Sequence, residues 1–189
     1  MIEKLLGDDV QSSGRYLAEV IYGANDGIVT TFAVVSGVAG AALNPSIVLI
    51  LGAANLFADG FSMGMSNYLS RRSELDYQNS IAPDGEAKSP TDGKPPTPTD
   101  GKSPKRTAFV TFLAFVVAGW APLLPYIFAL DPAFPLSVGF TGLTFFVVGA
   151  SRSLVTERAW YLNGAEMFVV GMAAAAVAYS VGSVLGGLA

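Results

Sequence analysis

The sequence contains no cysteine and no histidine. It can therefore build no disulfide, no zinc-type thiolate or imidazole site, and no Ser-His or Cys-His nucleophile. Charge is nearly as scarce. Only 14% of the 189 residues are charged, against roughly a quarter in a soluble domain. Apolar residues make up 51% and mean hydropathy is +0.47, so lipid is the solvent that suits this chain. The net charge of −4 says little, because the acids are spread over soluble and apolar stretches alike. The first fifteen residues hold no apolar stretch of signal-peptide type, so the first apolar run is expected to stay in the mature protein.

The few charges are bunched, which leaves five apolar runs near residues 17–43, 46–69, 107–130, 134–155 and 163–188. Crossing a hydrocarbon core of about 30 Å takes roughly 20 helical residues, and each run reaches or approaches that length. The fourth is the shortest, because Arg152 restricts its apolar part to 134–150. Asn44-Pro45 and Asp131-Pro132 supply turns between runs. A transmembrane barrel would alternate polar and apolar residues, and these runs do not. The expected fold is an all-α integral membrane protein with five transmembrane helices, embedded in a lipid bilayer.

All eleven basic residues fall in three places. Lys4 and Arg15 precede the first run. Seven lie between the second and third, and Arg152 and Arg158 lie between the fourth and fifth. With five spans these segments share one side of the membrane. The positive-inside rule makes that side the cytoplasm, with the N-terminus in and the C-terminus out. Three segments follow: 1–77 with the first two spans, a linker at 78–106, and 107–189 with the last three spans. The linker repeats Ser89-Pro90-Thr91-Asp92-Gly93-Lys94 as Thr97-Pro98-Thr99-Asp100-Gly101-Lys102. Rich in Pro, Gly, Thr and Lys, it cannot bury enough apolar surface to offset its ordering entropy, so it is expected to be a disordered cytoplasmic tether.

Two acids interrupt the apolar runs. Asp26 lies in Tyr22-Gly23-Ala24-Asn25-Asp26-Gly27, and Asp59 in Asn55-Leu56-Phe57-Ala58-Asp59-Gly60-Phe61-Ser62-Met63-Gly64. A charge at mid-helix costs at least ~2.5–3.5 kcal/mol on insertion scales. With the first helix entering from the cytoplasm near Leu17 and the second returning near Ser70, Asp26 sits about 14 Å deep, Asp59 about 16 Å and Met63 about 10 Å. Asn55, Asp59 and Met63 are spaced four apart, on one helix face. No Lys or Arg lies in the core of any run, which leaves a proton, a neutral hydrogen-bond donor or a dissolved cation as the partner. Carboxylate oxygen with thioether sulfur suits Fe²⁺ or Mn²⁺ better than Mg²⁺ or Ca²⁺. Protonated acids bonded between helices are the structural alternative.

Gly23-x-x-x-Gly27 and Gly60-x-x-x-Gly64 bracket the acids and permit close helix approach. Glu19 is read as an interfacial acid or a vestibule ligand, Glu166 as a cap-region acid, and Met65 as packing. Pro122 and Pro125 are expected to kink the third helix, with Trp120, Trp160 and Tyr161 as interface anchors.

The run from Tyr22-Gly23-Ala24-Asn25-Asp26-Gly27 to Ala33, together with Ala58-Asp59-Gly60-Phe61-Ser62-Met63-Gly64, resembles the vacuolar iron transporter family. The likeness continues in Pro122-Leu123-Leu124-Pro125-Tyr126 and Asn163-Gly164-Ala165-Glu166-Met167, and spans nearly all of the chain but the linker. It implies a five-helix subunit acting as a homodimer that exports Fe²⁺ or Mn²⁺ from the cytoplasm in exchange for protons, with no cofactor. It also implies metal-site roles for Asp26 and Met63. Two departures stand out. The linker replaces the Glu- and Met-rich cytoplasmic domain of eukaryotic members, and Asn55 stands about where many members carry a glutamate, a loss for which Asp59 compensates. A short, bacterial-type member in the cell (inner) membrane is the expectation. The competing readings are a non-transporting scaffold or sensor, and an intramembrane aspartyl protease, whose usual Gly-x-Gly-Asp is here Phe57-Ala58-Asp59-Gly60.

Overall fold

In the computed structural model, residues 16–81, 102–154 and 156–188 are described, and every regular element among them is helical. Helix α1 runs Leu17–Gly40, α2 Pro45–Ile81, and α3 Pro104–Gly119. A 3₁₀ turn at Ala121–Leu123 leads into the single turn of α4, Leu124–Ile127. Helix α5 spans Ala133–Ser151 and α6 spans Trp160–Gly186.

Local chemistry explains the breaks. Asn44 Oδ1 accepts from both the amide and the hydroxyl of Ser46 (2.9 and 2.8 Å), opening α2 with Pro45 in its first turn. Pro122 and Pro125 interrupt this stretch after Gly119, as expected of a proline kink, because a proline withholds an amide and crowds the carbonyl four residues back. The chain runs on as a 3₁₀ turn and α4 within one helical stretch, Pro104–Ile127. At 37 residues α2 is the longest helix. It carries the Arg71–Asp76 stretch and continues through Ile81, while α3 begins at Pro104, so helix occupies both ends of the expected linker. Residues 82–101, with most of the repeat and the expected disorder, lie outside the described residues, as do 1–15.

Among the described residues, four helical stretches are long and apolar enough to cross a membrane: Pro45–Gln78, Pro104–Ile127, Ala133–Leu154 and Trp160–Gly186. Helix α1 is not among them, although its 24 residues reach about 36 Å. Glu19, Asn25 and Asp26 make it too polar. Its position in the bundle gives the physical reason. Helix α1 packs against α2, α3, α5 and α6, and no residue from Gly23 to Gly40 is exposed. A helix sheathed by other helices meets little lipid, so it can carry polar groups.

Close backbone contacts set the helix directions. Along α1, Gly23 abuts Thr111 and Gly27 abuts Phe115 of α3, in parallel. Further along, Gly182 meets Gly37 and Gly186 meets Ala41, so α6 is parallel to α1 as well. Helix α2 runs against α3, with Gly52 at Leu123 and Gly64 at Ala108. Helix α5 runs against α6, with Gly142 at Phe168 and Gly149 at Asn163. Helices α1, α3 and α6 thus point one way and α2 and α5 the other. Among the described residues, every Lys and Arg sits at the end of the bundle where α1, α3 and α6 begin.

Candidate functional site

Helix α3 serves as a ruler for the levels of α1 and α2. A Cβ built on Gly27 would land on the Phe115 backbone, and one on Gly60 would lie 3.1 Å from the Phe115 ring. The residues just before these glycines, Asp26 and Asp59, therefore stand at one height. Both side chains are half-buried. Both glycine motifs are spent on α3, Gly23 and Gly27 from one side and Gly60 and Gly64 from the other. Tight packing is thus placed behind the acids, and α1 meets α2 less extensively than it meets α3.

Among the described residues, neither carboxylate takes part in an ion pair or a side-chain hydrogen bond. The Asp26 backbone carbonyl accepts from Thr30 Oγ1 at 2.8 Å, which leaves the carboxylate itself unengaged. The acids are therefore not tied into an interhelical hydrogen bond, the alternative left open by sequence. Asn55 and Met63 lie one turn to either side of Asp59 on α2, both half-buried. Met63 packs against a core cluster that includes Phe32, Leu56 and Phe115. Among the described residues, no three Asp, Glu, His or Cys side chains come together. The available donors are two carboxylates, a thioether and an amide oxygen. Two carboxylates balance the charge of one divalent ion, and the sulfur favours a borderline one.

The stripe continues. Asn67, four residues past Met63, donates to Thr111 Oγ1 at 2.7 Å, and that hydroxyl donates to the Thr107 carbonyl at 2.9 Å. The sequence reading stopped at Met63, though extending the same four-residue step would have reached Asn67. Arg71 follows on this face, three turns from Asp59 and ion-paired with Glu74.

The other candidate acids lie elsewhere. Glu19 bonds Lys102 Nζ at 2.9 Å, beside the Tyr16 hydroxyl, which accepts from the Ser103 amide at 3.2 Å. This latch joins the starts of α1 and α3. Glu166 corrects its expectation. It lies in the second turn of α6, and in place of capping it pairs with Arg158 at 3.1 Å and Arg152 at 3.9 Å. Half-exposed pairs of this kind contribute under ~1 kcal/mol, so Glu166→Gln should move the thermal midpoint little in a fluorescence melt. Met65 is a second correction, since it lies on the outer surface of α2 and not in the core. Trp160 and Tyr161 are exposed at the start of α6, where anchors are expected. Trp120 instead packs edge-on against Phe57.

The VIT family profile matches this chain over residues 17–90 and 90–183. The chain belongs to the VIT family. Among its VIT relatives, vacuolar iron transporter 1 of Oryza sativa subsp. japonica is 28% identical over 213 residues, covering 89% of this chain and 84% of that protein. Vacuolar iron transporter 1 of Arabidopsis thaliana is 27% identical over 220 residues, covering 92% and 88%. A stronger but shorter match, 47% over 62 residues, is to the vacuolar iron transporter of Plasmodium berghei (strain Anka), covering 33% of this chain and 23% of that one. Asp26, Asp59 and the α3 ruler of this VIT chain all lie inside the matched region.

Proposed function

We propose that this chain exports Fe²⁺ or Mn²⁺ from the cytoplasm in exchange for protons, working as a homodimer of five-span subunits in the cell (inner) membrane. The Asp26–Asp59 pair carries the proposal: two half-buried acids at one level of the bundle, with no cation or donor supplied by the described residues. A divalent ion supplies the missing charge, with Met63 and Asn55 completing its ligands from α2. When the ion leaves, protons restore neutrality, which couples the two fluxes. Two findings support the reading. Full-length relatives are named vacuolar iron transporters, and the described basic residues gather at one end, which the positive-inside rule makes cytoplasmic. The homodimer is favoured by the half-burial of both acids in a lone subunit, which a second copy would complete.

Proteoliposomes test this directly. Fe²⁺ or Mn²⁺ should enter acid-loaded vesicles faster than vesicles without a pH gradient. Equal rates would remove the proton coupling, and absent flux in both would favour a scaffold or sensor. Met63→Leu keeps the volume and deletes the sulfur, so the preference for Fe²⁺ over Mn²⁺ should fall several-fold in competition uptake. An unchanged ratio would rule out a thioether ligand.

A further inference from the structure

On the outer side of α2 and α3, away from the acids, an apolar groove of about 340 Å³ runs between the helices. Gly64 and Ala108 form its floor, because their small side chains leave a trough where the helices close. Phe61 and Met65 of α2 and Phe109 and Phe112 of α3 form its walls. The helices are antiparallel here, so Tyr68 and Lys105 stand together at one end, and Phe61 and Phe112 lie about 10 Å deeper. Arg72 joins the polar end, its Nη1 3.4 Å from the Tyr68 hydroxyl and its Nε 3.9 Å from Asp76. Lys105 and Arg106 are exposed, and neither forms an ion pair among the described residues.

We infer that this groove binds an anionic phospholipid, with its phosphate held by Lys105, Arg72 and the Tyr68 hydroxyl and one acyl chain lying along the groove towards Phe61 and Phe112. An apolar trough one helix-turn pair long, capped at the basic end of a membrane bundle by two cations and a hydroxyl, matches an anionic headgroup above its hydrocarbon tail. Lysine suits this depth, because its stem stays in the apolar layer while the ammonium reaches the headgroups. The inference rests on α2 and α3 spanning the bilayer and is independent of the transport reading.

The test uses full-length protein equilibrated with equal phosphatidylglycerol and phosphatidylcholine in mixed micelles, with retained lipid counted by native mass spectrometry. Phosphatidylglycerol should be retained preferentially, and the preference should fall at least about fivefold in R72Q/K105Q. Both substitutions are on exposed side chains, so the fold should survive. Met65→Trp, which fills the trough, should release both lipids. Equal retention by wild type, or an unchanged preference in R72Q/K105Q, would overturn the proposal. Two further outcomes would also overturn it by naming another occupant. Inorganic phosphate at millimolar concentration abolishing the preference would show a soluble-anion site. Efficient disulfide formation between copies of Met65→Cys, in a chain otherwise free of cysteine, would show a second subunit in the groove.

Discussion

Asp26→Asn is expected to cut metal flux by on the order of a hundredfold or more in proteoliposomes while leaving the protein folded. The substitution keeps the shape and the oxygen but removes the charge. Disturbing a group that merely supports a ligand costs metal affinity about 10–100-fold, so loss of a ligating charge should cost at least the upper figure. Stability should move the other way. An uncompensated carboxylate in a bundle core costs at least ~2.5–3.5 kcal/mol when ionised, and the amide avoids that cost, so the variant should melt no lower than wild type. Flux lost with stability kept separates a transport role from a structural one. Wild-type flux from Asp26→Asn would leave the site without a purpose.

The largest effect on folding is expected from Gly27→Leu. The glycine lies directly against the Phe115 backbone, and backbone cannot step aside as a side chain can. Overpacking alone costs typically ~1–3 kcal/mol. Here it would also prise α1 from α3 and drop the acids out of register with α2. In a bilayer no hydrophobic drive holds two helices together, so the close van der Waals contact that small residues allow is the main attraction lost. The variant should elute as aggregate on size exclusion. Gly37→Ala on the same helix is the control, because a Cβ there meets nothing within 4 Å. It should purify and transport like wild type. Similar behaviour of the two variants would mean that the α1–α3 contact is not what holds the bundle.

Much of this arrangement was legible in the sequence. Apolar run length placed the start of each long helix within three residues, but not every end: α2 runs on past its apolar run to Ile81, and α3 stops at Gly119. Asn44-Pro45 marked the turn before α2, and Pro122 and Pro125 marked the irregularity after α3. The common level of Asp26 and Asp59 followed from helical rise alone, because a membrane bundle constrains each helix to start near one face or the other. What sequence could not supply was the partner of each face. The glycine motifs beside the acids announced close helix approach without naming the partner, which is α3 for both, since a GxxxG ridge states that something comes close without stating what. The central place of α1 was hidden for a related reason. Its polarity weakened its apolar signal, yet that polarity is tolerated because its neighbours shield it from lipid. Glu166 was misplaced because helix α6 begins at Trp160, three residues before the expected start, which moves the acid out of the first turn and into reach of Arg152 and Arg158.

Binding of Mn²⁺ to the purified protein, followed by electron paramagnetic resonance, bears most directly on the proposal that Asp26 and Asp59 hold a metal ion. Free Mn²⁺ gives a sharp six-line spectrum that is lost on binding, so a titration reads occupancy without any transport assay. Wild type should bind saturably, and Asp26→Asn and Asp59→Asn should each abolish most of that binding. Undiminished Mn²⁺ binding by the Asp26→Asn/Asp59→Asn double variant would contradict the assignment.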